Sequence, residues 1–130
     1  LFSETLFINY MKRINNQKKI LLKILNNFKY QKKNIIGFGA PAKLTTFSYK
    51  FNIDNKMVPF VVDDNYLKQN RYSPGKHMKI INYKEFRKKD FDAVIIFAWN
   101  FAESIIKRIE KDYKGKKIII PFPKVKIIKS

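Results

Sequence analysis

The chain has 130 residues, no cysteine, a formal net charge of +18 and a 45% hydrophobic share. Its length suits one domain that buries roughly two thirds of the surface its unfolded chain exposes, and its apolar share excludes a disordered chain. Disulfides and thiolate metal sites are excluded, and no apolar run approaches the roughly 18 residues of a membrane span.

The first thirty residues read as one helix, with Phe7, Tyr10, Met11, Ile14, Leu21, Ile24, Leu25 and Phe28 spaced by three, four or seven. Ser3 is the expected N-cap. The run Asn34 to Phe38 is short, apolar and followed by glycine, which predicts a buried first strand. From Pro41 a second helix runs to about Phe51, with the proline in the first turn, where a missing N–H costs nothing. "MVPFVVDDN" reads as a second strand with Pro59 near its start. "YLKQNRYSPGK" is a loop of turn formers, and "HMKII" is a third strand. "NYKEFRKKDFD" holds a short helix capped by Asn82. "AVIIFAW" is a fourth strand, apolar on both faces. "NFAESIIKRIEKDYK" is a helix with Asn100 as N-cap and Glu103 three residues on, close to a capping box; Gly115 ends it as a C-cap. "KKIIIPF" is a fifth strand.

Strands alternate with helices, and the inner strands are continuously apolar. The expected fold is α/β: a three-layer, Rossmann-like domain with a mostly parallel five-stranded sheet and a long N-terminal helix. The domain proper spans 34–130, and the helix of residues 1–33 precedes it. The first residues lack the cationic start and continuous apolar core of a signal peptide. The chain begins with Leu1, so it reads as a piece of a longer polypeptide. The lack of cysteine fits a reducing compartment and a cytoplasmic location.

Two readings of the charge compete. A polyanion partner is the obvious one. Yet 24 of the 28 basic residues are Lys, with abundant Ile and Asn, as an AT-rich genome over-supplies. Arginine enrichment and aromatics interleaved for base stacking are missing. Neither nucleic acid nor membrane is the expected partner.

In such a sheet, ligands bind beyond the carboxyl ends of the strands, where strand order reverses. Gly37, Gly39 and Ala42 stand there as G-x-G-x-x-A, a form of the dinucleotide fingerprint. Gly37 would allow the tight turn and Gly39 a close backbone approach. Asp63 and Asp64 end the second strand, where a ribose-binding acid belongs. Small residues suit any strand-to-helix turn in this fold, so the turn alone decides nothing. Lys43 could reach back to a phosphate or be solvated. Arg71 sits in the loop after the second strand and could fork a phosphate. His77, the one histidine, has no partner acid nearby in sequence. Trp99 could stack on a ring, although core packing explains it too. No Ser-His-Asp set, metal cluster or P-loop is present.

The ordered segments "IIGFGAPAK", "FVVDDNYLKQNRYSPGKHMKI", "DAVIIFAWNFAESIIKRI" and "KIIIPFPKVKII" resemble the C-terminal domain of the S-adenosylmethionine-dependent sugar C-methyltransferases. The resemblance runs from about Asn34 to Ile128, and the first helix resembles the family's connector. Two positions depart: Leu44 and Asn70 stand where the family usually has glycine. The resemblance implies a full enzyme with a zinc-binding region and a central methyltransferase domain ahead of this one. In it, a base would remove the proton beside the keto group of a nucleotide-linked deoxysugar, and the enolate would take a methyl group from S-adenosylmethionine. This domain would cover that active site and bind the nucleotide-linked sugar. It would bind no cofactor itself and be inactive alone, with no catalytic residue of its own. Gly37, Gly39, Ala40, Pro41, Ala42 and Lys43 would form one wall, Asp64, Asn65, Lys68, Arg71 and Tyr72 a second, and Asn100 a third. The competing expectation is a stand-alone nucleotide or dinucleotide-binding Rossmann module.

Overall fold

A computed structural model describes residues 2–41 and 44–130. The first helix, α1, covers Phe2–Tyr30. It already includes Ser3, so this serine is not its N-cap. Strand β1 (Ile35–Phe38) follows, then α2 (Leu44–Lys50), β2 (Phe60–Val62), β3 (Lys79–Ile81), α3 (Tyr83–Phe86) and β4 (Ala93–Ile96). A 3-10 turn at Trp99–Phe101 leads into α4 (Ala102–Asp112), and β5 (Lys117–Ile120) and β6 (Lys126–Lys129) complete the chain.

The sheet has six strands in the order β3-β2-β1-β4-β5-β6. The first five run parallel and β6 is antiparallel to β5, pairing Ile118 with Ile128 and Ile119 with Ile127. The expectation of five strands falls short by this last one. Lys126-Ile127-Ile128-Lys129 is too short and too charged at its ends to stand out by periodicity. It is an edge strand, where lysines are favoured because they discourage further pairing.

Side chains alternate across the sheet as the pleat requires. Ile35, Ala93, Ile95, Val61 and Phe97 face α1 and α2, meeting Leu21, Leu25, Phe28, Leu44, Phe47 and Phe51. Ile36, Phe38, Val62, Val94 and Ile96 face α3 and α4, meeting Phe86, Ile105 and Ile109. Helices therefore cover both faces, which explains why the inner strands carry no polar residue. Helix α1 divides by environment. Its second half supplies fully buried Leu21 and Leu25, while Leu6, Phe7, Ile8 and Tyr10 in its first half are exposed. Gln17 ties it to the far end of the chain, its Oε1 accepting from the Val125 amide at 2.7 Å.

Several helix ends differ from expectation. Helix α2 starts at Leu44, and Pro41 lies before it, its carbonyl accepting from the Leu44 amide at 2.9 Å. Leu44 is buried in the core on the α1 side. Asn82 caps α3 as expected, accepting from the Glu85 amide at 2.7 Å. Asn100 does not cap α4: it lies inside the 3-10 turn, and Phe101 holds the N-cap position without a side-chain bond. Tyr113 is the C-cap, and Gly115 turns the chain two residues later at φ +76, its amide donating to the Ser130 carbonyl. Asn70 has φ +64, the left-handed conformation that a glycine would take there and that Asn tolerates. No helix among the described residues is long and apolar enough to cross a membrane.

Candidate functional site

Strand order reverses between β1 and β4, and a cleft of about 390 Å³ opens at their carboxyl ends. Gly39 and Asp64 form one side, and Ala98, Phe101, Ser104 and Arg108 the other. The turn after β1 comes close to the strand beside it. Gly39 takes φ +87, and a Cβ there would lie 2.4 Å from the Ala98 Cβ. Only glycine meets both demands. Gly37 has a different task. It lies inside β1, and a Cβ there would meet the Phe97 ring at 2.5 Å. It makes room in the core on the α1 side and forms no turn, contrary to the sequence expectation.

The turn is closed by its own hydrogen bonds. The Gly39 amide donates to the Val62 carbonyl at 2.6 Å. The Ala40 amide donates to Asp63 Oδ2 at 2.8 Å, and Lys68 Nζ donates to the Ala40 carbonyl at 2.6 Å. Pro41 has no N–H. Among the described residues of the turn, the two amides that could face a phosphate are thus bonded within the protein, one of them to a carboxylate. Asp63 is committed on its other oxygen too, where Oδ1 accepts from the Asn65 amide at 2.8 Å. Gln69 Nε2 donates to its carbonyl at 2.8 Å. Asp63 joins the ends of β1 and β2; it is not a free ribose ligand.

Across the cleft, Arg108 Nη1 donates to Asp64 Oδ2 at 2.7 Å, a pair whose side chains are 38% and 67% exposed. The guanidinium lies 4.0 Å over the Tyr83 ring and 5.7 Å from that of Phe38. Tyr83 is itself held, its hydroxyl donating to Asp112 Oδ2 at 2.5 Å. Burial first, and then this bond to a carboxylate, hold the Tyr83 phenol well above its ordinary range. It remains a neutral donor. The hydrogen bond to Asp64 likewise raises Arg108, which is a cation throughout.

The expected walls are brought together only in part. Gly39 and Asp64 line the cleft, Ala40 lies buried behind it, and Pro41 is half-buried. Ala42 and Lys43 lie outside the described residues. Asn65 Oδ1 accepts from the Leu67 amide within its own loop. Lys68 is the clasp on Ala40. Arg71 and Tyr72 are elsewhere: the chain reverses at Asn70 and runs back along β3, where Tyr72 bridges to Lys79. Both are exposed at that edge. Asn100 is exposed in the 3-10 turn. Leu44 is in the core, away from the cleft. Trp99 packs against Phe47 and Phe122, at 5.0 and 5.1 Å between ring centroids. His77 is an exposed turn residue at φ +57.

Arg108 is the residue that sequence reasoning missed. A signal existed: it is one of four arginines, on the helix that follows β4, three residues after Ile105 and one before Ile109. Both isoleucines are buried, so Arg108 sits at the margin of the packed face.

The model of the family described as the C-methyltransferase C-terminal domain matches residues 1–123, taking in α1 and the five parallel strands but not β6. The C-methyltransferase NovU of Streptomyces niveus is 29% identical over 98 residues, which are 74% of this chain and 23% of that protein. The chain therefore spans about a quarter of the length of this curated relative. With four ordered motifs and a family match over nearly its whole length, the chain belongs to the C-methyltransferase C-terminal domain family.

Proposed function

We propose that this chain is the substrate-side domain of a sugar C-methyltransferase, and that its cleft forms one wall of the site for a nucleotide-linked sugar. The observation that carries the reading is the cleft itself, at the carboxyl ends of parallel strands where their order reverses, the position at which open α/β sheets bind ligands. The order β3-β2-β1-β4-β5 with helices on both faces supports a Rossmann-like, doubly wound description. The cleft has an apolar floor, a cation and a closely approaching backbone at Gly39, which suit a molecule with a ring and phosphates.

In a full-length enzyme of this kind, S-adenosylmethionine held by a central domain would supply the methyl group to the keto-deoxysugar. The residues here do not fit that cofactor or a dinucleotide. Asp63, where a ribose-binding acid would stand, has both oxygens bonded to backbone amides, and Asp64 is paired with Arg108. Nor do they fit the zinc of the preceding region. The chain has no cysteine, and no three His, Asp or Glu cluster among the described residues. The domain's own work is to bind, orient and cover, and alone it transfers no methyl group.

The test is an NMR titration of this chain with thymidine diphosphate, beside NAD and S-adenosylmethionine. Shifts from the diphosphate alone, grouped around Gly39, Asp64 and Arg108, are expected. Shifts of these residues by NAD and not by the diphosphate would sink the reading and favour a dinucleotide module.

A further inference from the structure

The cleft has a cation, while the turn amides of Gly39 and Ala40 are already bonded within the protein. The Gly39 and Ala40 amides are bonded to Val62 and Asp63. Lys68 donates to the Ala40 carbonyl and does not line the cleft. Helix α2, seven residues long, starts beyond Pro41. Arg108 differs. One hydrogen bond, to Asp64, engages its fork of five donors among the described residues. The Tyr83 ring, 4.0 Å from the guanidinium carbon, supports it without using any donor.

From this we propose that Arg108 recognises the phosphate of the cleft's ligand, and that Asp64 is a resident competitor which the phosphate displaces. The proposal rests on reading the cleft as the nucleotide-sugar wall, and it adds the residue that selects the charged part of that ligand. Asp64 follows β2 and Arg108 lies on α4, 44 residues apart, so their ion pair closes over the end of β1 between them. A ligand that enters must share the guanidinium or replace the carboxylate. Replacement is easy, because the Asp64 carboxylate is two-thirds exposed and such pairs are weak. A phosphate brings several strong acceptor oxygens, and an arginine fork binds two in parallel. Asp63 also lines the cleft, but its charge is shared between two backbone amides. With Asp64 moved aside, Arg108 is the charge that a ligand meets. An uncharged sugar brings no charge to compete with the carboxylate, so the pair favours ligands that carry the nucleotide's phosphates.

The experiment measures affinity by calorimetry and NMR for inorganic pyrophosphate, thymidine diphosphate and thymidine. The proteins are this chain and its Arg108→Gln, Arg108→Lys, Asp64→Asn and Lys107→Gln variants. Arg108→Gln is expected to lose roughly tenfold or more for both phosphates, and Arg108→Lys most of that, because the fork is lost. Asp64→Asn should bind them roughly threefold tighter. Lys107 neighbours Arg108 but pairs loosely with Glu103 on the surface. Lys107→Gln should therefore stay within about twofold, which separates recognition from the bulk charge of the chain. Pyrophosphate affinity unchanged in Arg108→Gln, or no pyrophosphate binding even by Asp64→Asn, overturns the proposal. Thymidine diphosphate binding that survives Arg108→Gln overturns it while sparing the nucleotide-sugar reading. Pyrophosphate that follows the expected pattern, with no gain from attached thymidine, upholds Arg108 and sinks that reading.

Discussion

Replacing Asp63 with alanine separates a structural acid from a ligand-binding one. The carboxylate accepts the Ala40 amide on one oxygen and the Asn65 amide on the other, each at 2.8 Å. Charge-assisted bonds of this kind contribute about 1.5–3 kcal/mol each. Asp63 is half-buried and water replaces part of what is lost, so the variant should be about 2–3 kcal/mol less stable. For a domain of this size that is a fall in Tm of roughly 6–12 °C. Asp63→Asn keeps one carbonyl acceptor and should lose about half as much. The assay is urea unfolding followed by circular dichroism and by Trp99 fluorescence, with a lower midpoint at unchanged slope. An unchanged midpoint together with weaker ligand binding would refute this account and return Asp63 to the role of a ribose ligand.

Gly37→Ala should destabilise the domain by about 1–3 kcal/mol, because its methyl would lie 2.5 Å from the ring of buried Phe97. Adding Phe97→Leu should recover part of that loss in the same urea assay. Gly39→Ala meets both a positive φ and the Ala98 side chain, and should cost about 2–4 kcal/mol while narrowing the cleft. The Tyr83 phenol titrates above its unfolded value of 10.0, so its share of stability is complete below that pH and is lost as pH rises further. Urea midpoints taken from pH 9 to 11.5 should fall on the alkaline side, and Tyr83→Phe should flatten that fall. Gln17→Ala leaves the Val125 amide without its acceptor and should cost about 1 kcal/mol, with faster amide exchange at the C-terminal end.

The layers were legible because burial on both faces leaves no choice of residue: the runs at Ile35–Phe38, Ala93–Ile96 and Lys117–Ile120 could be little else. The helix caps were less so. Asn82 has the side chain that its capping position favours and fills it, whereas at α4 a 3-10 turn intervenes and the helix starts two residues after Asn100. Strand β6 escaped notice because four residues give no period and its partner is set by tertiary pairing. The site was legible as a place and not as a set of contacts. Its position follows from topology, and Gly39 from the turn. Which carboxylate is bonded to which amide depends on how β1 and β2 end in register, and no local spacing encodes that. Arg71 drew attention by residue type and neighbourhood, but the reversal at Asn70 carries it along the sheet edge. Arg108 enters the cleft only because α4 packs over β1, 70 residues away in sequence.

The bonds among Gly39, Ala40, Val62, Asp63, Lys68 and Gln69 form a closed ring that joins the loops after β1 and β2. Such a ring has few independent motions. A ligand that touches Gly39 meets a surface whose ordering entropy was already spent during folding, so little of its contact energy goes into arranging the wall. On the proposal that Asp64 yields to a phosphate, the adjustable part of the cleft is one carboxylate on a fixed frame. Selectivity would then change through residues 64 and 108, which lie outside the strands, leaving the sheet untouched.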